Sequence, residues 1–316
     1  MYMLEDEIFL FLAKTRQNIL KGEKKMLNKK YLKRFVLVAI VIASLFLMVG
    51  CGGTSKNDKE KNDSNRLEVI KEKGYLEVVT EPYFAPYEFI DPSKSGDEQY
   101  VGSDILLAKY IAEKIGVEVK IIPLEFSAVL SSITEGKYDL AISALAYTPA
   151  REEAMNLSDG YYFSENSPGY GLLIRQEDSN NIKGPDDMAD KIIVAQSGSL
   201  QELFVNEQVP KYKEFKRVSA TTDGFLMVEE NKADACAVSI PMGQLYIEAN
   251  PNAKLMIVEG FEFEVDPETQ GTRIGIPKGE SELTEIVNEA IKEVLESGEF
   301  EKWHKEYTEY AKDLGL

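Results

Sequence analysis

Arg151 follows a buried strand directly, at a position that suits the recognition of an acid. The apolar run that ends near Ala146 passes into a helix start, where Thr148 is a favourable N-cap and Pro149 fits the first helical position. Arg151 then falls in the first helical turn, where the helix dipole disfavours a cation by roughly 0.3–1 kcal/mol. A bound carboxylate would offset that cost, because free N–H groups at a helix start attract anions and a guanidinium group can hold a carboxylate with two hydrogen bonds. The alternative is an ordinary surface ion pair with an acidic neighbour, which could be Glu152, Glu153 or Asp159.

Other kinds of chemistry have few suitable residues. His304 is the only histidine, so neither a zinc site nor a Ser-His-Asp triad is expected. Of the two cysteines, Cys236 lies in an apolar run typical of a buried strand, which indicates a structural thiol rather than a reactive one. No phosphate-binding loop pattern is found, so any ATPase would be a separate chain. We therefore expect no cofactor and no metal ion.

Short apolar strands alternate with amphipathic helices along most of the chain. This pattern indicates an α/β fold with parallel-rich sheets and with ligand sites at the carboxyl ends of the strands. A helix is predicted over 103–115, where five apolar residues recur on one face, and another over 125–135, ended by Gly136. A helical tail is predicted over 280–312, in two pieces around Gly298. Strands are predicted at 76–80, 117–122, 139–144, 171–174, 192–195 and 233–238.

The N-terminal part is predicted to lie outside the folded body. A basic patch followed by the apolar run 35–49 is typical of a secretory signal, and this run is too short to cross a bilayer comfortably. The run ends in LMVGC at 47–51, which resembles a lipobox with Met48 in place of the usual Leu, so Cys51 is expected to carry lipid. A plain membrane anchor with an unmodified cysteine is the alternative. We assign an upstream extension to 1–25, a lipoprotein signal peptide to 26–50 and a disordered tether to 51–66.

The part of the chain from Cys51 onward is strongly acidic. The full chain holds 36 basic and 54 acidic residues, and the first fifty residues hold 9 and 4 of them. The remainder therefore holds 27 basic and 50 acidic residues, a net charge of −23. Such a surface repels nucleic acid and anionic lipid. It fits a solvated body outside the cell that is held near the bilayer by covalent lipid rather than by charge.

Two segments rich in proline, glycine and polar residues divide this body. The segment 161–170 is predicted to carry the chain from one lobe to a second lobe, and the segment 266–272 is predicted to return it. Lobe 1 would then comprise 67–164 and 270–316, and lobe 2 would comprise 165–269.

Six short motifs follow one another in a characteristic order and spacing. They are TEPYFAPYEF at 80–89, VGSDI at 101–105, GKYD at 136–139, TPAR at 148–151, SDGYY at 158–162 and QSGS at 196–199. Together they resemble the extracytoplasmic solute-binding proteins of ABC importers, in the polar amino-acid-binding family (family 3-like) and in its lipoprotein form. The resemblance covers nearly all of 67–310 and departs from the pattern at Ser103, usually aromatic, and at Leu106, usually acidic. It implies a two-lobed, periplasmic-binding-protein-like fold of type II, with two hinge crossings and lobes that close on a ligand.

The resemblance also implies which residues bind the ligand. The position matching Arg151 holds the α-carboxylate of the ligand, and the positions matching Phe84 and Phe126 pack on its side chain. Core packing is a competing role for Phe126, because its helix has an inward apolar face. The position matching Glu81 often meets a polar or cationic part of the ligand. The further cleft positions are those matching Ala144, Ala146, Gln196, Ser199 and Ser239.

Several of these positions depart from the family pattern. Ala144 and Ala146 stand where Gly, Ser or Thr is usual, and Leu200 stands where Thr is frequent. Ser239 stands where an Asp usually neutralises the α-ammonium group, and a buried ammonium without a carboxylate is costly. We therefore expect a ligand with a carboxylate and an apolar or aromatic body, but with no conventionally bound α-ammonium. Alternatively, Glu81 neutralises a cation placed elsewhere, as in a basic or N-modified amino acid.

The function that the resemblance implies is capture of an amino acid or amino-acid-like carboxylate outside the cell. The ligand would be delivered to an ABC permease driven by an ATPase, both on separate chains. The protein is expected to be a monomer, anchored by lipid to the outer face of the cell membrane, with no nucleic-acid partner and no enzymatic activity. Two alternatives stay open, a dehydratase-like enzyme with Glu81 as acid or base and a sensory solute-binding lipoprotein.

Overall fold

The computed structural model describes residues 65–163, 169–267 and 270–316. The predicted signal peptide, Cys51 and nearly all of the tether lie outside these ranges, so the interpretations that concern them stay predictions. Within the described ranges, no helix combines the length and the apolar composition that a bilayer crossing requires.

The helices begin and end close to the positions predicted from sequence. The helix predicted over 103–115 spans those residues and buries its five inward apolar positions. The tail is divided at Gly298, which adopts a left-handed backbone with φ of 72°. The helices of the described residues are α1 (Arg66–Lys73), α2 (Ser103–Ile115), α3 (Phe126–Thr134), α4 (Pro149–Ala154), α5 (Leu200–Gln208), α6 (Thr221–Glu229), α7 (Ile240–Ala249), α8 (Ser281–Ser297) and α9 (Glu299–Leu314).

The strands of the described residues form three sheets. They are β1 (Tyr75–Thr80), β2 (Tyr83–Phe84), β3 (Glu88–Ile90), β4 (Tyr100–Val101), β5 (Glu118–Pro123), β6 (Leu140–Ala146), β7 (Asn156–Leu157), β8 (Tyr170–Arg175), β9 (Ile192–Gln196), β10 (Glu214–Val218), β11 (Ala235–Ser239), β12 (Leu255–Ile257) and β13 (Thr272–Ile276).

The first sheet has the strand order β5-β1-β6-β13-β7. Strand β1 pairs in parallel with β5 and β6, whereas β13 and β7 join in antiparallel orientation. Because β1 and β6 are parallel neighbours, their carboxyl ends lie at the same edge of the sheet. That edge brings the residues after Thr80 close to those around Ala146.

The second sheet repeats this design with the order β10-β9-β11-β8-β12. Strand β9 pairs in parallel with β10 and β11, and β8 is antiparallel to β11 and β12. In each sheet a single strand, β13 in the first and β8 in the second, runs opposite to the other four, so both sheets are mixed although most of their strands run the same way. The carboxyl ends of β9 and β11 place Gln196 and Ser239 at one edge.

A third, antiparallel sheet of three strands was not predicted from the sequence. Its strands β2, β3 and β4 contain only two or three residues each. Strands this short cannot show the alternating pattern on which sequence prediction relies.

The chain passes from the first sheet to the second between Tyr162 and Tyr170 and is back in the first sheet at Thr272, so the fold is two-lobed with two crossings. We call the part around the first sheet lobe 1 and the part around the second sheet lobe 2. The two crossings run side by side at the lobe 1 end, where the amide of Thr272 donates to the carbonyl of Tyr162 over 3.0 Å.

Ala144, near the end of β6, has a left-handed backbone with φ of 46°. An L-residue with a Cβ atom loses roughly 1–2 kcal/mol in this region. The Ala144 amide donates to Oδ2 of the buried Asp104 over 2.8 Å, and the pairing of β6 with β13 changes register nearby. The aspartate therefore holds the strand end in a conformation that alanine itself disfavours.

Ala144→Gly is expected to raise the free energy of unfolding by up to about 1 kcal/mol. Glycine has no Cβ atom and so removes the strain, whereas the larger conformational entropy that it gives the unfolded chain offsets only part of that gain. Urea denaturation of the wild type and the variant measures the difference. The control is Ala141→Gly in the same strand, where φ is not positive and where stability should fall by at least about 0.5 kcal/mol. A less stable Ala144→Gly protein would contradict the strain interpretation.

Candidate ligand-binding cleft

The nine residues predicted to bind ligand all line one cavity between the two lobes. The cavity has a volume of about 80 Å³ and adjoins a wider space of about 570 Å³ beside the crossings. The nine residues are Glu81, Phe84, Phe126, Ala144, Ala146, Arg151, Gln196, Ser199 and Ser239.

The Arg151 side chain lies in the wall of this cavity and is only 8 % exposed. Its Nη1 donates to the Ala146 carbonyl over 2.7 Å, and its Nη2 donates to the Gly198 carbonyl over 3.0 Å. The guanidinium carbon lies 5.5 Å from the centroid of the Phe126 ring. Because Gly198 belongs to lobe 2, this cation connects the two lobes. The predicted cap is present, since the Arg151 amide donates to Oγ1 of Thr148 over 3.1 Å.

No acidic side chain of the described residues lies within ion-pair distance of Arg151. Burial lowers the pKa of its guanidinium to about 10, the direction expected for a desolvated cation. The surface ion pair with Glu152, Glu153 or Asp159 is therefore not what the structure shows. A buried guanidinium with unused N–H donors beside a cavity is well suited to hold an anion.

Two phenylalanines form apolar walls of the cavity. Phe126 begins α3 and packs in a core cluster with Val79 and Val129 as well as against Arg151, so core packing and cavity lining coexist in this residue. Phe84 is half-buried in β2, and its ring centroid lies 5.8 Å from that of Tyr87. These rings suit a ligand with an apolar or flat body.

Glu81 follows β1 and is only 2 % exposed. Gln196 from lobe 2 lies close enough to act on the pKa of its carboxyl group, but the Oε1 atom has no hydrogen-bond partner among the described residues. Burial raises the pKa of Glu81 to about 8, with a further contribution from Asp223 and an opposing one from Gln196. At neutral pH most of these carboxyl groups are protonated unless a cation approaches, because a nearby positive charge favours the ionised form.

A buried acidic pair, Glu88 and Asp104, supports the cavity wall from behind. The Ser143 hydroxyl donates to Glu88 Oε1 over 2.9 Å, and the Tyr161 hydroxyl donates to Asp104 Oδ2 over 2.7 Å. Burial raises the pKa of Glu88 well above its usual range and that of Asp104 to about 6, and the two side chains share a hydrogen bond. Glu88 therefore carries the proton, and the pair holds the end of β6 with one negative charge instead of two.

Lobe 2 supplies neutral polar groups to the cavity. The side-chain amide of Gln196 donates to the Ser219 carbonyl over 2.9 Å, and Oγ of Ser199 caps α5 by accepting from the Glu202 amide over 3.1 Å. Ser239 ends β11 and precedes α7 without a side-chain cap hydrogen bond. Among the described residues of lobe 2 that line this cavity, none is a carboxylate.

Residues 76–310 match the family described as bacterial extracellular solute-binding proteins, family 3. The chain belongs to this family. Membership agrees with the two-lobed α/β fold and with a cleft that is lined from both lobes.

Two relatives and one ancestral protein illustrate the similarity of this solute-binding protein to others. The arginine-binding extracellular protein ArtP of Bacillus subtilis (strain 168) is 25% identical over 280 residues, which cover 87% of this chain and 98% of ArtP. The L-arginine-bound crystal structure of AbpA, an amino acid ABC transporter substrate-binding protein from Streptococcus pneumoniae Canada MDR_19A, has a TM-score of 0.68 at 30% identity, over 77% of this chain and 98% of AbpA. The ancestral amino acid-binding protein AncCDT-1, a precursor of cyclohexadienyl dehydratase, has a TM-score of 0.65 at 25% identity, over 78% of this chain and 100% of that one.

Sequence reasoning missed several residues that line the cavity of this solute-binding protein. Glu88 lies inside the motif at 80–89, and an acidic residue between two aromatic ones is a signal that could have found it. The other missed positions carry no comparable signal, because segments far apart in the chain bring them together. They are Tyr87, Ser143, Tyr170, Gln201 and Thr272.

The histidine His304 and the buried cysteine Cys236 are side chains of types often used in catalysis, and here both are packed among other side chains. His304 lies against the rings of Tyr87 and Tyr162, at centroid distances of 4.6 and 4.3 Å, and burial lowers its pKa to about 4. Cys236 is fully buried, which raises the pKa of its thiol far above the usual range, so the thiol is unreactive. In the described part of the chain, no group of three or more His, Cys, Asp or Glu residues is placed to hold a metal ion.

Proposed function

We propose that this protein captures a small carboxylate ligand in the cleft between its lobes, with Arg151 as the group that holds the carboxylate. The observation that carries the proposal is the buried guanidinium of Arg151, which contacts carbonyls from both lobes but no carboxylate of the described residues. A bound carboxylate would neutralise this cation and add hydrogen bonds that stabilise the closed arrangement. The other eight cavity residues predicted from sequence would contact the rest of the ligand.

The ligand we propose is an amino acid or an amino-acid-like carboxylate whose cationic group lies beside Glu81. The named relatives include two proteins that bind arginine, a ligand with a distal cation. Glu81 is buried and has an unsatisfied oxygen, whereas Ser239 offers a hydroxyl group without charge. Neutralisation of an α-ammonium group is therefore weak in this cleft, and neutralisation of a cation elsewhere on the ligand is strong.

The proposed role is the delivery step of import. The loaded protein would dock on a permease that is driven by an ATPase, while lipid on Cys51 would keep the monomeric body near the outer face of the membrane. Residues 67–164 with 270–316 and residues 165–269 would move as the two closing lobes. Adjacent permease and ATPase genes would support transport, and an adjacent kinase or receptor gene would favour a sensory role.

Identification of the natural ligand tests this proposal directly. Mass spectrometry of small molecules released from the purified protein should reveal a carboxylate, and calorimetric titration after unfolding and refolding should reproduce its binding. The titration panel should pair basic amino acids with deaminated analogues. Tight binding of several ordinary α-amino acids would refute the idea of a weakened α-ammonium site.

Ser239→Asp is expected to raise the affinity for L-arginine about tenfold or more relative to its deaminated analogue 5-guanidinopentanoate, because a charge-assisted hydrogen bond contributes roughly 1.5–3 kcal/mol. The new carboxylate would stand at the family's α-ammonium position. Calorimetric titration of both compounds measures the ratio of affinities. Ser239→Asn, which has a similar shape and no charge, should leave the ratio near that of the wild type, and an equal gain with asparagine would contradict the electrostatic explanation.

Dehydratase activity is the second candidate, favoured by the raised pKa of Glu81 and by the similarity to AncCDT-1. A protonated Glu81 could donate a proton to a leaving hydroxyl group. Its carboxyl group is not hydrogen-bonded to a second acid or base among the described residues, however, so a partner for proton transfer is lacking there. Incubation with cyclic hydroxycarboxylates, followed by mass spectrometry for loss of water, separates turnover from simple binding.

A further inference from the structure

The inner cavity opens into the wider space beside the two crossings, which we call the side chamber. Seven residues line both spaces and form the passage between them, namely Phe84, Tyr87, Ala144, Ala146, Tyr170, Ser239 and Thr272. The inner cavity has a volume of about 80 Å³ and the side chamber one of about 570 Å³. Ligand sites typically measure roughly 300–1,000 Å³, so the inner cavity reaches this size only together with the side chamber.

The side chains that line the passage are uncharged, and three of them carry hydroxyl groups that lack a partner. Tyr87 comes from lobe 1, whereas Tyr170 and Ser239 stand opposite each other on the paired strands β8 and β11 of lobe 2. None of these three hydroxyl groups is hydrogen-bonded to a described residue. Burial raises the pKa of both tyrosines, so their hydroxyl groups keep their protons at neutral pH. All three can therefore exchange hydrogen bonds with a ligand.

The side chamber has aromatic walls and little charge. The rings of Tyr162 and His304 lie 4.3 Å apart between centroids on one side, and Phe263 is buried on the lobe 2 side. His304 contributes no charge at neutral pH, because burial lowers its pKa to about 4. Among the described residues that line the side chamber, Glu262 is the one carboxylate, it is exposed to solvent, and none is a lysine or an arginine.

Two directions lead away from Arg151. Glu81 and Phe126 line the inner cavity but not the side chamber, so one direction passes the buried carboxyl group of Glu81. The other direction passes Tyr170 and Ser239 into the side chamber. Burial raises the pKa of Tyr170 and the charge of Arg151 opposes that rise, so the passage begins beside the guanidinium group.

An α-amino acid held at Arg151 has two groups to place in these directions, its side chain and its amino nitrogen. The proposed function places a cationic side chain beside Glu81, which leaves the nitrogen at the passage. A free ammonium group there would be buried among neutral hydroxyl groups without a counter-charge, which is costly. An amide nitrogen carries no charge, and its carbonyl oxygen can accept a hydrogen bond from a hydroxyl group. The passage therefore suits an acylated nitrogen better than a free one.

We propose that the passage and the side chamber form a subsite for a neutral acyl group on the α-nitrogen of the ligand. The ligand class is an Nα-acylated amino acid, in which the hydroxyl groups of Tyr87, Tyr170 and Ser239 bind the amide and the aromatic walls contact the acyl group. The small side chains of Ala144 and Ala146 leave room for the amide to pass. The proposal rests on the proposed function, because Arg151 holds the carboxylate of the same ligand.

Calorimetric titration with four compounds that share one guanidinium side chain tests the subsite. 5-Guanidinopentanoate lacks the α-nitrogen, L-arginine carries it as an ammonium group, and Nα-acetyl-L-arginine and Nα-benzoyl-L-arginine carry it as an amide. The acetyl compound should bind at least about tenfold more tightly than L-arginine, because acylation removes a buried ammonium group that lacks a counter-charge. The benzoyl compound should bind at least as tightly as the acetyl compound, since the side chamber has room for a ring and aromatic walls to contact it.

Two variants locate the acyl group in the passage. Tyr87→Phe and Tyr170→Phe should each weaken binding of Nα-acetyl-L-arginine about two- to tenfold relative to 5-guanidinopentanoate, the range for loss of one neutral hydrogen bond. Tyr212→Phe is the matched control, because Tyr212 is a half-buried tyrosine of lobe 2 that lines neither space. It should leave the ratio of the two affinities at the wild-type value.

The outcomes separate the subsite from the proposed function. If 5-guanidinopentanoate binds in a manner that depends on Arg151 but L-arginine binds at least as tightly as its acetyl derivative, the subsite is overturned while the proposed function stands. The subsite is also overturned if Tyr87→Phe and Tyr170→Phe both keep the affinity ratio of Tyr212→Phe, because the acyl group then lies elsewhere. If none of the four compounds binds the wild-type protein, both proposals fall.

Discussion

Arg151→Ala is expected to weaken binding of any carboxylate ligand by at least about 30-fold, because removal of one partner of a buried, hydrogen-bonded charge pair typically costs 2–5 kcal/mol. The side chain is 8 % exposed and donates to carbonyls of both lobes, so water cannot readily replace it. Arg151→Lys should recover only part of the loss, because an ammonium group cannot make the two parallel hydrogen bonds of the guanidinium fork. Calorimetric titration with 4-guanidinobutanoate measures both variants.

The same substitution should change the stability of the free protein little. Burial lowers the pKa of Arg151 to about 10 from 12.5, which corresponds to a cost of roughly 3 kcal/mol for keeping this cation charged. Alanine removes that cost but also removes the hydrogen bonds to Ala146 and Gly198, so the two effects largely cancel. Arg217→Ala is the control, because Arg217 is an exposed arginine paired with Glu202 and should not affect binding. A large fall in melting temperature with binding retained would assign Arg151 a purely structural role.

Glu81→Gln is expected to raise the free energy of unfolding by about 3 kcal/mol at pH 7, since each unit of pKa shift corresponds to 1.36 kcal/mol. The pKa of Glu81 is raised from 4.5 to about 8, so folding favours its protonated form. Its contribution to stability is therefore complete below pH 4.5 and is lost as the pH rises toward about 8. Glutamine resembles the protonated acid and avoids this loss.

Urea denaturation at pH 4 and pH 7 tests the assignment. The variant and the wild type should be nearly equal in stability at the lower pH and should diverge at the higher one. Glu229→Gln, which replaces an exposed carboxylate, should show no such divergence. A difference that does not depend on pH would mean that Glu81 acts through packing rather than through its charge. The variant should also bind 4-guanidinobutanoate more weakly. A more stable protein that binds this ligand less tightly would show that the Glu81 carboxylate serves ligand binding and lowers the stability of the fold.

Signals in the local sequence were sufficient to predict the helices α2 and α4, and α4 is the helix that contains Arg151. Thr148 and Pro149 mark the start of α4 by their own chemistry, and the apolar period over 103–115 locates α2. These predictions succeeded because capping and amphipathic periodicity depend on residues a few positions apart. The position of Arg151 in the first turn of α4 follows from the same signals.

Contacts between distant segments could not be predicted in this way. The left-handed backbone of Ala144 has no local cause, because it depends on a hydrogen bond to Asp104, forty positions earlier in the chain. The proton shared by Glu88 and Asp104 requires that both side chains be buried together. The three-stranded sheet of β2, β3 and β4 was missed because its strands are too short to show a period.

The sequence by itself determined the alternation of the longer strands with helices, the acidic character of the body and the presence of an arginine at a helix start. It left open whether Arg151 pairs with a neighbour on the surface or faces a cavity. Only the tertiary structure decided this, because burial depends on the packing of both lobes around the side chain. The same packing isolates Glu81 from water, and desolvation rather than residue type gives that carboxyl group its raised pKa.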